Sequence, residues 1–267
     1  SCLVGSEMCI RDRLDFNMTE ITIPGRSTDT VRFSPFIYHT YENKWEAGSK
    51  TPPLYKVMLF TRRNGVYKEY MPLKIGFGKT ELVDGRLTRF DKELKLVKAG
   101  YNAAADRKTT LAELKTLKAK GNNTICPDYP QPGWFYDLCD ELGLYVIDCA
   151  NINAPEKRDD RKVGGTPSND PSLADEYLER VKAMYYRSRN HSCVIAFALG
   201  GESGNGYNFY KAYEWLEARE KGEGRMNRPI CYERAQWEWN TDMFVPMYPT
   251  AGMLEEWGRE GTDRPVV

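Results

Sequence analysis

The spacing of apolar positions changes once along the chain, near residue 90. Before that point apolar and polar residues alternate in short runs at 20–24, 31–33, 55–60 and 67–70, as half-buried strands require when successive side chains face opposite ways. Asn64-Gly65 and Asp84-Gly85 punctuate them, and both pairs accept the positive φ that a tight hairpin demands. The pattern predicts an antiparallel β-sandwich of immunoglobulin-like type over residues 14–90. After residue 90, apolar runs at 94–101, 123–126, 144–148, 193–199, 229–233, 243–247 and 265–267 alternate with helically spaced stretches at 111–120, 134–142, 173–187, 207–220 and 252–259. Strands and helices in alternation predict a parallel sheet covered by helices.

One turn in this second region carries chemistry. The run 193–199 is apolar throughout, as a strand covered on both faces is, and it empties into Gly200-Gly201-Glu202-Ser203-Gly204. In α/β barrels the loops at the C-terminal ends of the strands hold the reacting groups, so Glu202 is placed for general acid or base work. A solvated loop carboxylate or the start of a helix cap is the plain alternative. A phosphate cradle is a third reading, from Gly201-x-x-Gly204-x-Gly206 before the helical stretch. That spacing is not the dinucleotide fingerprint, no Gly-Lys-Ser/Thr follows, and the carboxylate would repel a phosphate.

Composition narrows the partners. The 267 residues carry 38 basic and 38 acidic side chains with no clustered basic face, which argues against nucleic acid and against an anionic membrane surface. A small neutral substrate fits better. No window approaches the roughly 18 consecutive apolar residues of a membrane span, so a soluble protein is expected, cytoplasmic or periplasmic. The 7 cysteines show no C-x-x-C spacing and predict buried free thiols. With only His39 and His191 available, a Cys/His zinc site is not expected. Residues 1–13 lack a signal peptide's apolar core and resemble sequencing-adapter read-through, so they are set aside as non-native. An inserted polar loop at 155–171, rich in Gly, Pro and charge, predicts a rim loop near a site.

Several ordered motifs resemble glycoside hydrolase family 2, the β-galactosidase and β-glucuronidase group. They are Thr51-Pro52-Pro53-Leu54-Tyr55, Ile75-Gly76-Phe77-Gly78-Lys79, the stretch from Phe135 to Asp148, Arg187-Ser188-Arg189-Asn190-His191, Leu199-Gly200-Gly201-Glu202-Ser203-Gly204 and Pro246-Met247-Tyr248. The resemblance implies an immunoglobulin-like domain followed, over 91–267, by an incomplete (β/α)8 TIM barrel that stops in its seventh strand. It implies a retaining glycosidase of terminal β-linked sugars, with Glu202 as acid/base. Retaining hydrolysis needs a second carboxylate about 5 Å away as nucleophile. In the family that group follows an Arg-Pro-hydrophobic run, and here Arg264-Pro265-Val266-Val267 is the end of the sequence, so the nucleophile is expected to be absent and the fragment inactive. Glu233 is not expected to replace it; a loop or supporting role is. Asp148 is expected to be structural rather than sugar-binding, and His191 to be a hydrogen-bonded residue at the opposite end of its strand.

The departures from the family pattern are specific. The usual Asn before the acid/base, which touches the sugar's 2-hydroxyl, is Gly201. The segment that supplies a glutamate and a histidine to magnesium reads Asn151-Ile152-Asn153-Ala154-Pro155, so no metal or other cofactor is expected. Candidate sugar-binding residues implied by the resemblance are Asn102, Asp128, Tyr129, Asn151, Gly201 and Tyr248. Trp237 and Trp239 join them as stacking platforms, because apolar sugar faces pack on aromatic rings. Trp134 and Trp257 fit core packing. The expected partner is a carbohydrate substrate, with a homo-oligomer possible in the full-length protein. A divergent homologue that binds carbohydrate without cutting it is the alternative reading.

Overall fold

The structure is a computed structural model that describes residues 2–9, 13–34, 36–37, 40–222 and 225–267, with side chains from Phe16 onward. His39 lies outside the described residues, as do the side chains of Cys2 and Cys9. Strands β1 (Cys2–Cys9), β2 (Arg13–Ile21), β3 (Tyr55–Arg63) and β4 (Val66–Ile75) form an antiparallel sheet in the order β2-β1-β3-β4. The segment read as non-native thus supplies a strand between β2 and β3. Asn64 and Gly65 turn β3 into β4 with φ of 51° and 79°. Asp84 and Gly85 do the same, at 49° and 71°, between β5 (Thr80–Val83) and β6 (Arg86–Arg89), which pair with β7 (Lys92–Glu93) in a second antiparallel sheet. Residues 31–33 form no strand, although Arg32 is exposed between the half-buried Val31 and Phe33 as the alternation predicts.

The parallel sheet follows. Strands β8 (Lys98–Gly100), β9 (Thr124–Cys126), β10 (Tyr145–Cys149), β11 (Val194–Ala198) and β12 (Ile230–Cys231) lie side by side in sequence order. Helices α1 (Arg107–Ala119), α2 (Gly133–Leu142), α3 (Ala174–Ser188) and α4 (Tyr207–Glu220) connect them, and α5 (Ala251–Glu260) comes last. The sheet runs on past β12 only through single parallel bridges, Cys231 to Met243 and Phe244 to Val266, so the barrel is not closed. The predicted strands at 243–247 and 265–267 shrink to those bridges because Pro246 and Pro265 have no N–H to donate to a ladder. The run at 229–233 shortens for another reason. Its last residue, Glu233, turns into a one-turn 3-10 helix (Glu233–Ala235).

The two regions meet at the N-terminal end of the parallel strands. Trp45 is fully buried there, edge-on to Tyr145 at 5.8 Å, and its Nε1 donates to the Asp140 carbonyl at 2.9 Å. Arg89, also buried, donates from Nη2 to the Trp45 carbonyl and from Nη1 to Thr80 Oγ1, each at 2.8 Å. Helix α2 ends on Gly143 with φ of 65°, and a Cβ at that position would stand 2.7 Å from the Pro52 ring. The left-handed cap and the close approach both call for glycine. This packing leaves the C-terminal ends of the strands clear.

Candidate functional site

Glu202 is the fourth residue beyond β11, exposed at the C-terminal end of the sheet. Its φ is 43°, a left-handed backbone that costs a residue with a Cβ about 1–2 kcal/mol. Strain of this kind persists only where the surroundings fix it, and it clusters at functional sites. The fixing bonds are all present. The Gly201 N–H donates to the Ile152 carbonyl at 2.9 Å, in a bridge that ties the end of β11 to the loop after β10. Ser203 Oγ donates to the Gly201 carbonyl at 3.0 Å and accepts the Ala154 N–H at 2.8 Å. Between them the Glu202 N–H donates to the Glu233 carboxylate at 2.5 Å. Burial, with the Glu202 charge adding to it, raises the pKa of Glu233 above the usual carboxylate range; the hydrogen bond from Glu202 partly opposes this.

The rim loop predicted at 155–171 is ordered against this turn. Thr166 and Asp170 cap two single-turn 3-10 helices, Pro167–Asn169 and Pro171–Leu173, by accepting the N–H groups of Ser168 and Ser172. A Cβ on Gly204 would lie 2.4 Å from Thr166 Oγ1, and one on Gly206 would lie 2.5 Å from Asn169. Both glycines therefore exist to let the loop press onto the turn. Farther out, Arg161 pairs with Glu238, whose other oxygen accepts from the Tyr210 hydroxyl at 2.7 Å, and Arg234 pairs with Asp159. Sequence reasoning missed these links, which join residues far apart in the chain.

The other predicted residues fall into small groups on the same end of the sheet. Asn102 and Asp128 bond to each other twice, Asn102 Nδ2 to Asp128 Oδ2 at 2.8 Å and the Asp128 N–H to Asn102 Oδ1 at 3.0 Å. Gln131 organises this pair by donating to the Tyr129 carbonyl (2.6 Å) and to Asn102 Oδ1 (3.3 Å), leaving the Tyr129 ring exposed. Only the sequence Pro130-Gln131-Pro132, a polar residue held between two prolines, hints at Gln131. Asn151 is exposed, and its carbonyl accepts from Arg180. Trp237 stacks on Phe244 at 3.9 Å, while Trp239 rests on Tyr210 and stands edge-on to Tyr213. Each indole remains about half exposed, and Tyr248 is 83 % exposed.

Asp148 faces the helices. It is fully buried, accepts from the Tyr136 hydroxyl and the Cys149 N–H through Oδ1, and its Oδ2 has no partner. His191 lies at the far, N-terminal end of β11, with Nδ1 2.8 Å from the buried carboxylate of Asp140. Asp137, Asp140 and His191 have ligand atoms within 4.8 Å of one another. Asp140 is already committed to His191 and to the Cys193 N–H at 2.7 Å, so the trio is a hydrogen-bonded support. Where the resemblance implies magnesium ligands, residues 151–155 supply no carboxylate and no imidazole. Asn153 offers one neutral amide, and the Pro155 carbonyl accepts the Arg158 N–H. Cys126, Cys139, Cys149, Cys193 and Cys231 are free thiols, all raised in pKa by burial. Among the described residues no helix is long and apolar enough to cross a membrane.

Known proteins are similar to this chain in sequence and in fold. A family profile described as "Glycosyl hydrolases family 2, TIM barrel domain" matches residues 100–266. A β-galactosidase of Oenococcus oeni is 30% identical over 247 residues, covering 84% of this chain and 23% of its own length. One from Pectobacterium atrosepticum is 32% identical over 226 residues, covering 78% of this chain and 20% of its own. The chain thus spans about a fifth of these relatives. In structure it is similar to an FMN-binding β-glucuronidase from Facaelibacterium prausnitzii L2-6, with a TM-score of 0.70, 15% identity and coverage of 100% of this chain and 43% of that one. A β-glucuronidase from Ruminococcus gnavus in complex with D-glucaro-d-lactam gives a TM-score of 0.70 at 15% identity, covering 99% and 48%.

Proposed function

The chain belongs to glycosyl hydrolase family 2, and on that premise we propose that it carries the acid/base half of a retaining β-glycosidase site for terminal sugars of the galactose type. The observation that carries this reading is the placement of Glu202: exposed at the C-terminal end of β11, on a left-handed turn tied to the loop after β10 and to the segment after β12. In the first step Glu202 protonates the glycosidic oxygen as the bond to the anomeric carbon breaks and a second carboxylate attacks that carbon. In the second step Glu202 takes a proton from the water that releases the sugar. Asn102, Asp128, Tyr129, Asn151 and Tyr248 would contact the sugar's hydroxyls, and Trp237 and Trp239 its apolar faces.

Glu233 is a poor nucleophile in this scheme, because its carboxylate is turned to the backbone of Glu202. We assign the attacking carboxylate to no residue of these 267, and expect the chain alone to leave aryl β-galactosides uncut. Residues 14–90 are assigned to an immunoglobulin-like unit, supported by the antiparallel pairings of β3 with β4 and of β5 with β6, and 91–267 to the barrel domain.

The test joins the chain to the nucleophile-bearing barrel segment of one of the β-galactosidase relatives and follows 4-methylumbelliferyl β-galactoside. Turnover that falls at least about 1,000-fold in Glu202→Ala and is partly rescued by azide supports the reading. Sugar binding without turnover would replace it with the carbohydrate-binding alternative, which the empty space beside Gly201 favours.

A further inference from the structure

We propose that Glu233 is a positioning residue for Glu202: its carboxylate captures the Glu202 backbone N–H and so holds the left-handed turn from which the acid/base side chain projects. The proposal rests on the reading of Glu202 given above, but its evidence is separate. A left-handed glutamate needs its amide tied down, since the same amide is free to follow the ladder in an extended chain. Gly201 and Ser203 on either side are tied to the loop after β10 through Ile152 and Ala154. Glu202 is tied in the opposite direction, to the segment after β12. The turn is therefore gripped from both neighbouring strands, and Glu233 is the grip on the β12 side.

Glu233 is itself well anchored. It opens the one-turn helix Glu233–Ala235, in which the Ala235 N–H bonds to the Tyr232 carbonyl at 3.2 Å. Tyr232 in turn donates its hydroxyl to the Gly204 carbonyl at 2.5 Å, two residues past Glu202. Arg234 is held by Asp159 of the rim loop. The charged groups facing Glu233 are Glu202, Arg234 and Arg158, and the thiols of Cys149 and Cys231 and the Tyr232 phenol are its buried titratable neighbours. A carboxylate in this setting makes a charge-assisted bond to one amide, which is stronger than a neutral acceptor would make. Its role is to aim Glu202, and it touches no reacting atom.

Residue-resolved amide hydrogen exchange on the 267-residue chain tests this. In Glu233→Ala the protection of the Glu202 amide is expected to fall at least about 10-fold. Glu233→Gln, which keeps an acceptor oxygen, should restore it to within about 3-fold of the wild type. The Gly201 amide, bonded to Ile152, should be unchanged in both. An unchanged Glu202 amide in Glu233→Ala, or equal losses at Gly201 and Glu202, would overturn the proposal. If Glu233→Ala does not fold, Glu233→Asp decides: the shorter side chain draws the carboxylate back from the amide, so Glu202 protection should fall while that of Gly201 is unchanged, and an unchanged Glu202 amide overturns the proposal. A chain that binds no sugar would defeat the glycosidase reading and leave these exchange results standing.

Discussion

The Tyr136 hydroxyl donates to Asp148 Oδ1 at 2.9 Å while accepting the Gln131 N–H at 2.9 Å, so a buried carboxyl behind the sheet is wired to the loop that holds Asn102 and Tyr129. The second oxygen of Asp148 lies beside the Ser188 hydroxyl, which donates to the Met184 carbonyl at 3.2 Å and so gives that oxygen no formal hydrogen bond, though its nearness tempers the rise in the carboxyl's pKa. Burial raises the carboxyl to about 6. The unfolded value is near 3.9, so the folded chain holds the proton more tightly than the unfolded one. Stability from this group is complete below about pH 4 and is lost as pH rises through about 6.

Asp148→Asn removes the titrating proton and keeps the acceptor oxygen. Relative to wild type it should gain about 2–3 kcal/mol at pH 8 and nothing at pH 4. Urea unfolding of both proteins across that range measures the difference, and Asp140, raised in the same direction by burial, cancels in it. An unchanged difference from pH 4 to 8 would defeat the assignment.

Gly201 has nothing within 4 Å of the place a Cβ would take, and its φ is not left-handed. Gly201→Asn should therefore fold with a stability change within about 0.5 kcal/mol. If the site is built for sugar, the restored amide should tighten binding of a β-thiogalactoside by up to about 10-fold, one hydrogen bond's worth. Calorimetric titration of the two proteins reads this directly. Weaker binding in the variant would show that the open space serves some other ligand shape.

Glu238 collects Arg161 and Tyr210 at the outer edge of the rim loop. The ion pair is more than half exposed on the arginine side, so Glu238→Ala should cost less than about 1 kcal/mol in global stability. Its effect is local. Trypsin should cut at Lys157, Arg158, Arg161 or Lys162 several-fold faster in the variant, followed by mass spectrometry of timed digests. Equal rates would mean that Gly204 and Gly206, with their contacts, hold the loop alone.

Burial pushes the thiol of Cys126 to about 11 and that of Cys231 to about 12, while Cys139, Cys149 and Cys193 are also raised. At pH 8 the thiolate fraction at Cys126 is about one in a thousand, and the thiolate is the reactive form. Ellman's reagent should label the buried Cys139, Cys149, Cys193 and Cys231 only as fast as the chain unfolds, and the half-buried Cys126 ahead of them. Rapid labelling of any of those four in native buffer would contradict the packing.

The helices and the strand leading to Glu202 were legible because their signal is local. Apolar spacing over 207–220 marks α4 residue for residue, and the unbroken run at 193–199 brackets β11. What escaped is set by partners distant in sequence. Nothing near Glu202 announces Glu233, 31 residues on, and a left-handed φ is ordinarily signalled by Gly or Asn rather than Glu. The direction of Asp148 was equally hidden: in a strand buried on both faces the neighbouring positions on either side are apolar, and it is the bond from Tyr136 of α2 that shows it facing the helices. The prolines at 246 and 265 did carry the information that shortened the last two strands, since each removes a ladder donor.

Thr166 and Asn169 stand where side chains on Gly204 and Gly206 would otherwise be. The rim loop and the turn bearing Glu202 are therefore inherited as one part. A swap of residues 155–171 from a relative, made to alter sugar preference, should succeed only when residues 203–206 travel with it, because either piece alone brings a surface cut to fit a different mate.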